Sequence, residues 1–133
     1  MRVVLDANVI SAAFAAHGIC EAILELCLDS HQILMSEELL GEIADGFKQK
    51  IKLPASATAR ILGLLTENSI TVTPAPLPPD ACRDPKDLHV LGLAVAGCAD
   101  CLVTGDDDLL VLENVSACRI LTPRAFWECS RAC

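Results

Sequence analysis

Short apolar segments alternate with segments of helical pattern along this chain, and that alternation limits its choice of fold. The predicted strands are RVVLD at residues 2–6, QILM at 32–35, SITVT at 69–73, DCLVTG at 100–105 and CRILT at 118–122. The clearest helical pattern follows a predicted N-cap at Ser36 and puts Leu39, Leu40, Ile43 and Phe47 on one face. Strands separated by helices pair in parallel through right-handed crossovers. The sequence therefore predicts a three-layer α/β/α sandwich with a mostly parallel, about five-stranded central sheet.

Length and hydrophobicity predict a single domain over residues 1–133. Of the 133 residues, 53% are hydrophobic and 3% are aromatic, so we expect a core of aliphatic side chains. The longest apolar stretch, residues 88–99, is interrupted by His89 and is shorter than the ~20 residues that span a membrane. Asp6 interrupts the apolar N-terminus, which argues against a signal peptide. We therefore expect a cytoplasmic protein with no membrane segment.

Eight cysteines raise the question of a secreted disulfide scaffold or a zinc site. An aliphatic core without a signal peptide favours reduced thiols. The CADC segment at residues 98–101 has zinc-ligand spacing, but no second pair of cysteines or histidines stands at the distance that a zinc finger needs. We therefore expect Cys98 and Cys101 to be small buried thiols at a helix-to-strand turn.

Charge is distributed unevenly along the chain, whose formal net charge is −8. Residues 80–113 hold eight acids and two bases, a net charge of −6 (2 − 8), so most of the negative charge lies in one segment. A run of bases without an intervening acid stands between Asp45 and Glu67 and consists of Lys48, Lys50, Lys52 and Arg60. The overall charge gives no general affinity for nucleic acid, so any such affinity has to come from a local surface.

Several acids are placed where the carboxyl ends of strands are expected to meet. Asp6 closes the first predicted strand, Asp106 closes the fourth, and Asp87 lies in the first turn of the helix that leads into the fourth. Each acid alone also fits a helix cap. Two unit charges ~4 Å apart repel by roughly 4 kcal/mol at an effective dielectric of 20, so converging carboxylates take up a proton or bind a cation. Such oxygen ligands suit Mg²⁺ or Mn²⁺, and the resulting site supports phosphodiester cleavage.

Four sequence blocks resemble the signature blocks of PIN-domain ribonucleases, above all those of the toxin components of bacterial toxin–antitoxin pairs. The blocks are VVLDANVI at residues 3–10, SEELLGEI at 36–43, DPKDLHVLGLAVAG at 84–97 and ADCLVTGDDDLL at 99–110. They follow the family order and span essentially the whole chain. By position, the resemblance implies that the acidic quartet of the family falls on Asp6, Glu42, Asp87 and Asp106. It also implies polar supporting residues at Asn8 and Thr104, and two further acids near the metal at Asp84 and Asp108.

The resemblance implies an endoribonuclease that is specific for single-stranded RNA and depends on Mg²⁺ or Mn²⁺. Metal-activated water would leave a 3′-hydroxyl and a 5′-phosphate. The resemblance also implies an antitoxin protein as partner, and a homodimer as a further form. The basic run Lys48, Lys50, Lys52 and Arg60 is expected to hold the RNA backbone beside the acidic pocket, although an ordinary solvated helix end explains it equally well. His89, two residues after Asp87, is expected to face away from the acids and to be structural.

Three alternative functions fit the sequence less well. Some PIN-like folds are catalytically silent modules that bind RNA or protein, and the complete acidic quartet favours an enzyme without establishing turnover. A haloacid-type phosphatase needs a second acid where Asn8 stands, and a phospho-receiver domain needs a lysine where the sequence has Arg124.

Four apolar residues fit either a dimer surface or the core, and we expect them in the core. They are Ala12, Ala13, Phe14 and Leu28.

Overall fold

The chain folds around one mixed sheet in which strands distant in sequence are neighbours. The computed structural model describes residues 1–132, so Cys133, the last residue of the predicted domain, lies outside the described residues. Within them the strands are β1 (Arg2–Leu5), β2 (Gln32–Met35), β3 (Ser69–Thr71), β4 (Cys101–Val103), β5 (Asn114–Val115) and β6 (Cys118–Leu121). Their order is β3-β2-β1-β4-β6-β5, and all neighbours are parallel except β5 and β6. The predicted α/β fold is confirmed, with β5 as a sixth strand.

Helices lie between successive strands of the described chain, except between β5 and β6, which are joined by Ser116 and Ala117. The helices are α1 (Ala7–Ala15), α2 (Ile19–Ser30), α3 (Glu37–Gln49), α4 (Ala55–Glu67), α5 (Leu88–Ala96), α6 (Asp107–Leu110) and α7 (Pro123–Ala132). Ser36 caps α3 as predicted, since its side chain accepts a hydrogen bond from the Leu39 N–H at 3.2 Å. The helix predicted from Pro85 onwards is divided into a 3₁₀ turn, Pro85–Asp87, and α5.

The central strands β1, β2 and β4 are buried on both faces of the sheet, as their apolar sequences predicted. Val3, Val4 and Leu5 are all buried although successive side chains of a strand point to opposite faces. Helix α5 packs on β1 and β2, and α7 packs on β4 and β6. The core is largely aliphatic, with Phe47 and Phe126 as its largest members. Burial of this apolar surface is the main contribution to folding.

Gly92 allows α5 to lie directly against the proline-rich segment at residues 74–80. A Cβ atom at this position would stand 2.3 Å from the Ala75 carbonyl oxygen, which is closer than any real Cβ contact. The same approach lets the Ala75 N–H donate to the Gly92 carbonyl at 3.0 Å. The contact therefore fixes α5, whose N-cap is Asp87.

The structure corrects two expectations about apolar and sulfur-containing residues. Phe14 and Leu28 were expected in the core, but their exposed fractions are 41% and 44%, because they border a surface groove rather than the sheet. Ala12 is also exposed, whereas Ala13 is buried as expected. In the CADC segment, Cys101 is buried on β4 but Cys98 is exposed in the preceding turn, where its φ of 51° is left-handed.

Among residues 1–132, no single helix is both long and apolar enough to cross a membrane. The pair α1 and α2, bent by 110° at their junction, reaches such a length and composition only when the two helices are taken together.

Candidate metal and catalytic site

The ends of β1 and β4 bring together two parts of the chain that are almost one hundred residues apart. These strands are parallel neighbours in which Leu5 pairs with Val103, so the residues that follow lie at the same edge of the sheet. The Asp6 N–H extends the pairing by donating to the Val103 carbonyl at 3.0 Å. The strand order reverses between β1 and β4, and such a switch point is where open α/β sheets bind their ligands.

Thr104 joins the two acids at this edge. Its side chain is fully buried, and its Oγ1 donates to Asp6 Oδ2 at 2.7 Å while accepting from the Asp106 N–H at 3.0 Å. The other oxygen of Asp6 accepts from the Ala7 N–H at 2.8 Å and so caps α1. The predicted supporting position at Thr104 is thus occupied by a hydroxyl that fixes both acids.

Acids at this edge of the sheet cap helical turns and also lie close to one another. Asp106 Oδ1 accepts from the Asp108 N–H at 2.9 Å and caps the short helix α6. Asp84 Oδ1 accepts from the Lys86 N–H at 3.0 Å and caps the 3₁₀ turn that contains Asp87. The helix-cap explanation is therefore correct for these side chains, and the same two acids also interact with Asp87.

Three carboxylates in the described residues lie close enough together to share one cation. Asp84, Asp87 and Asp108 each offer an oxygen, and these atoms all lie within 4.8 Å of one another. Asp87 Oδ2 is buried, and no hydrogen bond from the described residues satisfies it. A buried, unsatisfied carboxylate oxygen beside two further carboxylates fits a hard divalent cation, for which oxygen atoms are the preferred ligands. The residues present therefore fit Mg²⁺ or Mn²⁺.

Crowding of negative charge is visible in the pKa values. The pKa of Asp87 is raised to about 7, first by burial, then by the hydrogen bond to Asp106 and its charge, and further by the charges of Asp84 and Asp6. The pKa of Asp6 is raised by burial and by the charge of Asp106, while the hydrogen bond from Thr104 opposes this rise. Asp87 therefore interacts with both groups of acids, the pair held by Thr104 and the three-acid group.

Glu42 stands apart from the three-acid group. It lies on α3 and lines a neighbouring cavity with Asn8, and its Oε1 contacts the Nε2 of His89 on α5. The expectation that His89 faces away from the acids is wrong. The two-residue offset does not take His89 away from the acids, because His89 contacts Glu42 on α3 and lies near Asp6, and Asp6 also acts on Asp87.

The four bases of the predicted basic run do not line the same cavity. Lys50 Nζ donates to Asn8 Oδ1 at 2.9 Å, and together with Lys86 it lines a cavity of about 400 Å³ that also contains Glu42. Lys48 lines a separate cavity between α3 and α4, and neither Lys52 nor Arg60 is among the residues that line the cavity at Glu42. Of the four predicted bases, Lys50 is the one that the structure brings to the acids.

Two bases within the acidic segment, Arg83 and Lys86, were not predicted as site residues. Arg83 Nε lies 3.0 Å from Asp108 Oδ1, in an ion pair that is well exposed on both sides. Its guanidinium also donates to the Asp107 carbonyl at 3.4 Å. A signal was present in the sequence, since these are the two bases among the eight acids of residues 80–113.

Comparisons with known proteins show the family and the fold of the chain. The profile of the PIN domain matches residues 2–108, which include the ends of β1 and β4 and every acid described above. One solved structure, VapBC2 from Rickettsia felis bound to a DNA fragment from their promoter, is 18% identical with a TM-score of 0.61, and the match covers 92% of this chain and 98% of that one. That likeness shows a shared fold. No curated protein matches the chain. Because the family profile covers most of the sequence, the chain belongs to the PIN-domain family.

Proposed function

We propose that the protein is a divalent-metal-dependent endoribonuclease that cleaves single-stranded RNA, with Mg²⁺ or Mn²⁺ as its cofactor. The observation that carries this proposal is the buried, unsatisfied Asp87 Oδ2 in a group of carboxylates. Membership of the PIN-domain family supports nuclease chemistry. When bound, the cation supplies a Lewis acid that activates water for attack on a phosphodiester.

The acids fall into three groups by their proposed roles. Asp87, Asp84 and Asp108 hold the cation, since their oxygens already lie within reach of one another. Asp6 and Asp106 complete the site from the strand ends, and the buried Thr104 hydroxyl keeps them in place. Glu42 is proposed as the fourth catalytic acid, beside Asp6, Asp87 and Asp106. Asn8 is proposed as a polar support that faces the same cavity as Glu42.

Binding of RNA to a protein of net charge −8 requires local positive charge. We propose that Lys50 and Lys86 hold the RNA backbone where it passes the cavity at Glu42, because both line that cavity. Lys48, Lys52 and Arg60 would extend this path along the exposed end of α3 and the start of α4. Contacts to phosphates position the strand without reading its sequence.

We further propose that the chain is the toxin of a toxin–antitoxin pair that acts in the cytoplasm. The sequence blocks resemble such toxins, and the fold is shared with VapBC2. A groove of about 350 Å³ between α1, α2 and α4 exposes Phe14, Leu28 and Leu64 and is bordered by Glu21 and Glu25. An antitoxin segment with apolar and basic side chains fits this surface. A homodimer through the same face is the competing outcome, and light scattering of the isolated chain distinguishes the two.

A cleavage assay tests the enzymatic proposal. Wild-type protein and Asp6→Asn are incubated with labelled single-stranded RNA, with a duplex of the same sequence as a control, in Mn²⁺, in Mg²⁺ and in excess chelator. We expect wild-type cleavage of the single strand with a metal ion present, and a loss of at least about 100-fold in the variant and in chelator. Equal cleavage by both proteins would indicate a contaminating nuclease and leave the proposal unsupported.

The second candidate function is a catalytically silent module that binds RNA or protein. Two contacts favour this alternative, because Arg83 forms an ion pair with Asp108 and the Nε2 of His89 contacts Glu42. Two of the acids therefore already have a partner within the protein. RNA binding by wild-type protein without cleavage in either metal ion would support this alternative over the nuclease.

A further inference from the structure

His89 links two acids that the rest of the site leaves apart. Its Nε2 contacts Glu42 Oε1 across the space between α5 and α3, and the ring lies near enough to Asp6 that a charge on it would lower the pKa of that acid. The side chain of His89 is 22% exposed, whereas that of Glu42 is 45% exposed. The imidazole is therefore the more firmly enclosed partner, and Glu42 is the one that needs to be held.

Glu42 depends on an outside contact for its direction. It is a long side chain on an exposed part of α3, and it is not a member of the three-acid group. Among residues 1–132, His89 is the partner to which the carboxylate of Glu42 is bound. Fixing a glutamate side chain in one direction costs rotamer freedom. A contact that fixes it before metal and RNA arrive removes that cost from the binding step.

The other ring nitrogen of His89 indicates which way the imidazole donates. Nδ1 is buried and has no hydrogen-bond partner in the described part of the chain. A proton on Nδ1 would have no acceptor, so the neutral ring carries its hydrogen on Nε2, the atom that faces Glu42. The arrangement is that of a donor directed at a carboxylate oxygen.

We propose that His89 is a positioning residue whose Nε2–H holds the Glu42 carboxylate toward the acidic site. This inference rests on the proposed nuclease function and adds a residue that acts through Glu42 rather than on RNA or metal itself. Outer residues that orient metal-binding side chains typically contribute 10–100-fold in metal affinity or activity. The position of His89 at the start of α5 ties that orientation to the same helix for which Asp87 is the N-cap.

Variants of His89 and Glu42 test the inference in a double-mutant cycle. His89→Leu removes the donor and keeps an apolar body, whereas His89→Gln keeps an N–H near the same place. Mn²⁺ affinity is measured by calorimetry, cleavage by kcat and KM separately, and stability by thermal melting. We expect His89→Leu to weaken Mn²⁺ binding and lower kcat about 10-fold with little change in KM, and His89→Gln to recover most of the loss. In a Glu42→Gln background, His89→Leu should have almost no further effect.

The outcomes separate this inference from the proposed function. Wild-type protein that neither binds Mn²⁺ nor cleaves RNA would remove the proposed function, and the role of His89 with it. Active wild-type protein together with an unchanged His89→Leu variant would overturn the role of His89 alone. Effects of the two substitutions that simply multiply would overturn it as well, because they would show that His89 does not act through Glu42. His89→Met replaces the leucine variant if that protein does not fold.

Discussion

The hydroxyl of Thr104 donates to Asp6 Oδ2 at 2.7 Å and accepts from the Asp106 N–H at 3.0 Å, so one buried side chain fixes the acids that end two neighbouring strands. Thr104→Val keeps the shape of the side chain and leaves both partners unsatisfied. We expect it to lower the free energy of unfolding by about 1–3 kcal/mol and to reduce RNA cleavage. Urea denaturation and the cleavage assay measure the two effects.

Thr104→Ser is the matched control, because it keeps the hydroxyl and loses one methyl group. It should retain most of the activity that Thr104→Val loses. Equal activity of the serine and valine variants would show that the hydroxyl does not hold the acids in a functional position.

The raised pKa of Asp87 predicts a pH dependence of stability in the metal-free protein. Its pKa is about 7 in the folded chain, mainly because of burial, against 3.8 as the ordinary value. Between these values the folded state binds the proton more tightly, so stability falls as the pH rises from about 4 to 7 and is level above that. Asp87→Asn removes this loss, so its melting temperature should exceed that of wild type at pH 8 by about 4 °C, after discounting for solvent screening.

Melting curves at several pH values test this, with Asp107→Asn, an exposed neighbour of the site, as control. The advantage of Asp87→Asn should shrink toward pH 4, and added Mn²⁺ should reverse it at pH 8 by stabilising wild type alone. An advantage that does not vary with pH would contradict the crowding of charge around Asp87.

The lysines at the cavity predict a specific change in the salt dependence of RNA binding. Lys50→Gln combined with Lys86→Gln removes two charges that line one cavity. Because each phosphate contact contributes a slope of about 0.7 for single strands, the dependence of log affinity on log salt should fall by roughly 1.4. Arg124→Gln combined with Arg131→Gln removes two charges from α7 and should leave the slope unchanged. Equal slopes for both double variants would remove the two lysines from the RNA path.

The close approach of Gly92 to the Ala75 backbone predicts that any side chain at position 92 lowers the stability of the fold. Gly92→Ala would place a Cβ 2.3 Å from the Ala75 carbonyl oxygen, so we expect a loss of about 1–3 kcal/mol in unfolding free energy. Gly63→Ala on α4 is the matched control, since nothing lies within 4 Å of its Cβ, and it should stabilise by about 0.5–1 kcal/mol. Urea denaturation measures both, and a change of the same sign in the two variants would contradict the close packing of α5.

The fold and the acidic edge were predictable because they follow from local patterns. Apolar runs that end in Asp6 and Asp106 identify β1 and β4, and the parallel topology puts their ends side by side. Strand β5 escaped prediction because it has two residues and joins β6 through Ser116 and Ala117, where Ser116 has a φ of 53°. The sequence has no glycine there to signal such a turn.

The details of the site depend on side-chain reach and could not be read from spacing. Glu42 and His89 meet because a long side chain on α3 extends to α5, a contact that no periodicity encodes. Lys50 separates from Lys48 and Lys52 because it reaches Asn8, whereas Lys48 borders a different cavity. A run of like charges in a sequence therefore suggests more residues on one surface than the folded chain brings together.

Anomalous diffraction from crystals soaked in Mn²⁺ tests whether the acids form a metal site, since it locates the ion independently of activity. We expect a manganese peak among the carboxylates of Asp84, Asp87 and Asp108, with Asp87 Oδ2 among the coordinating atoms. Manganese peaks only at other surfaces would contradict this metal site. The absence of any manganese peak in crystals held above pH 8, where Asp87 should have lost its proton, would contradict it as well.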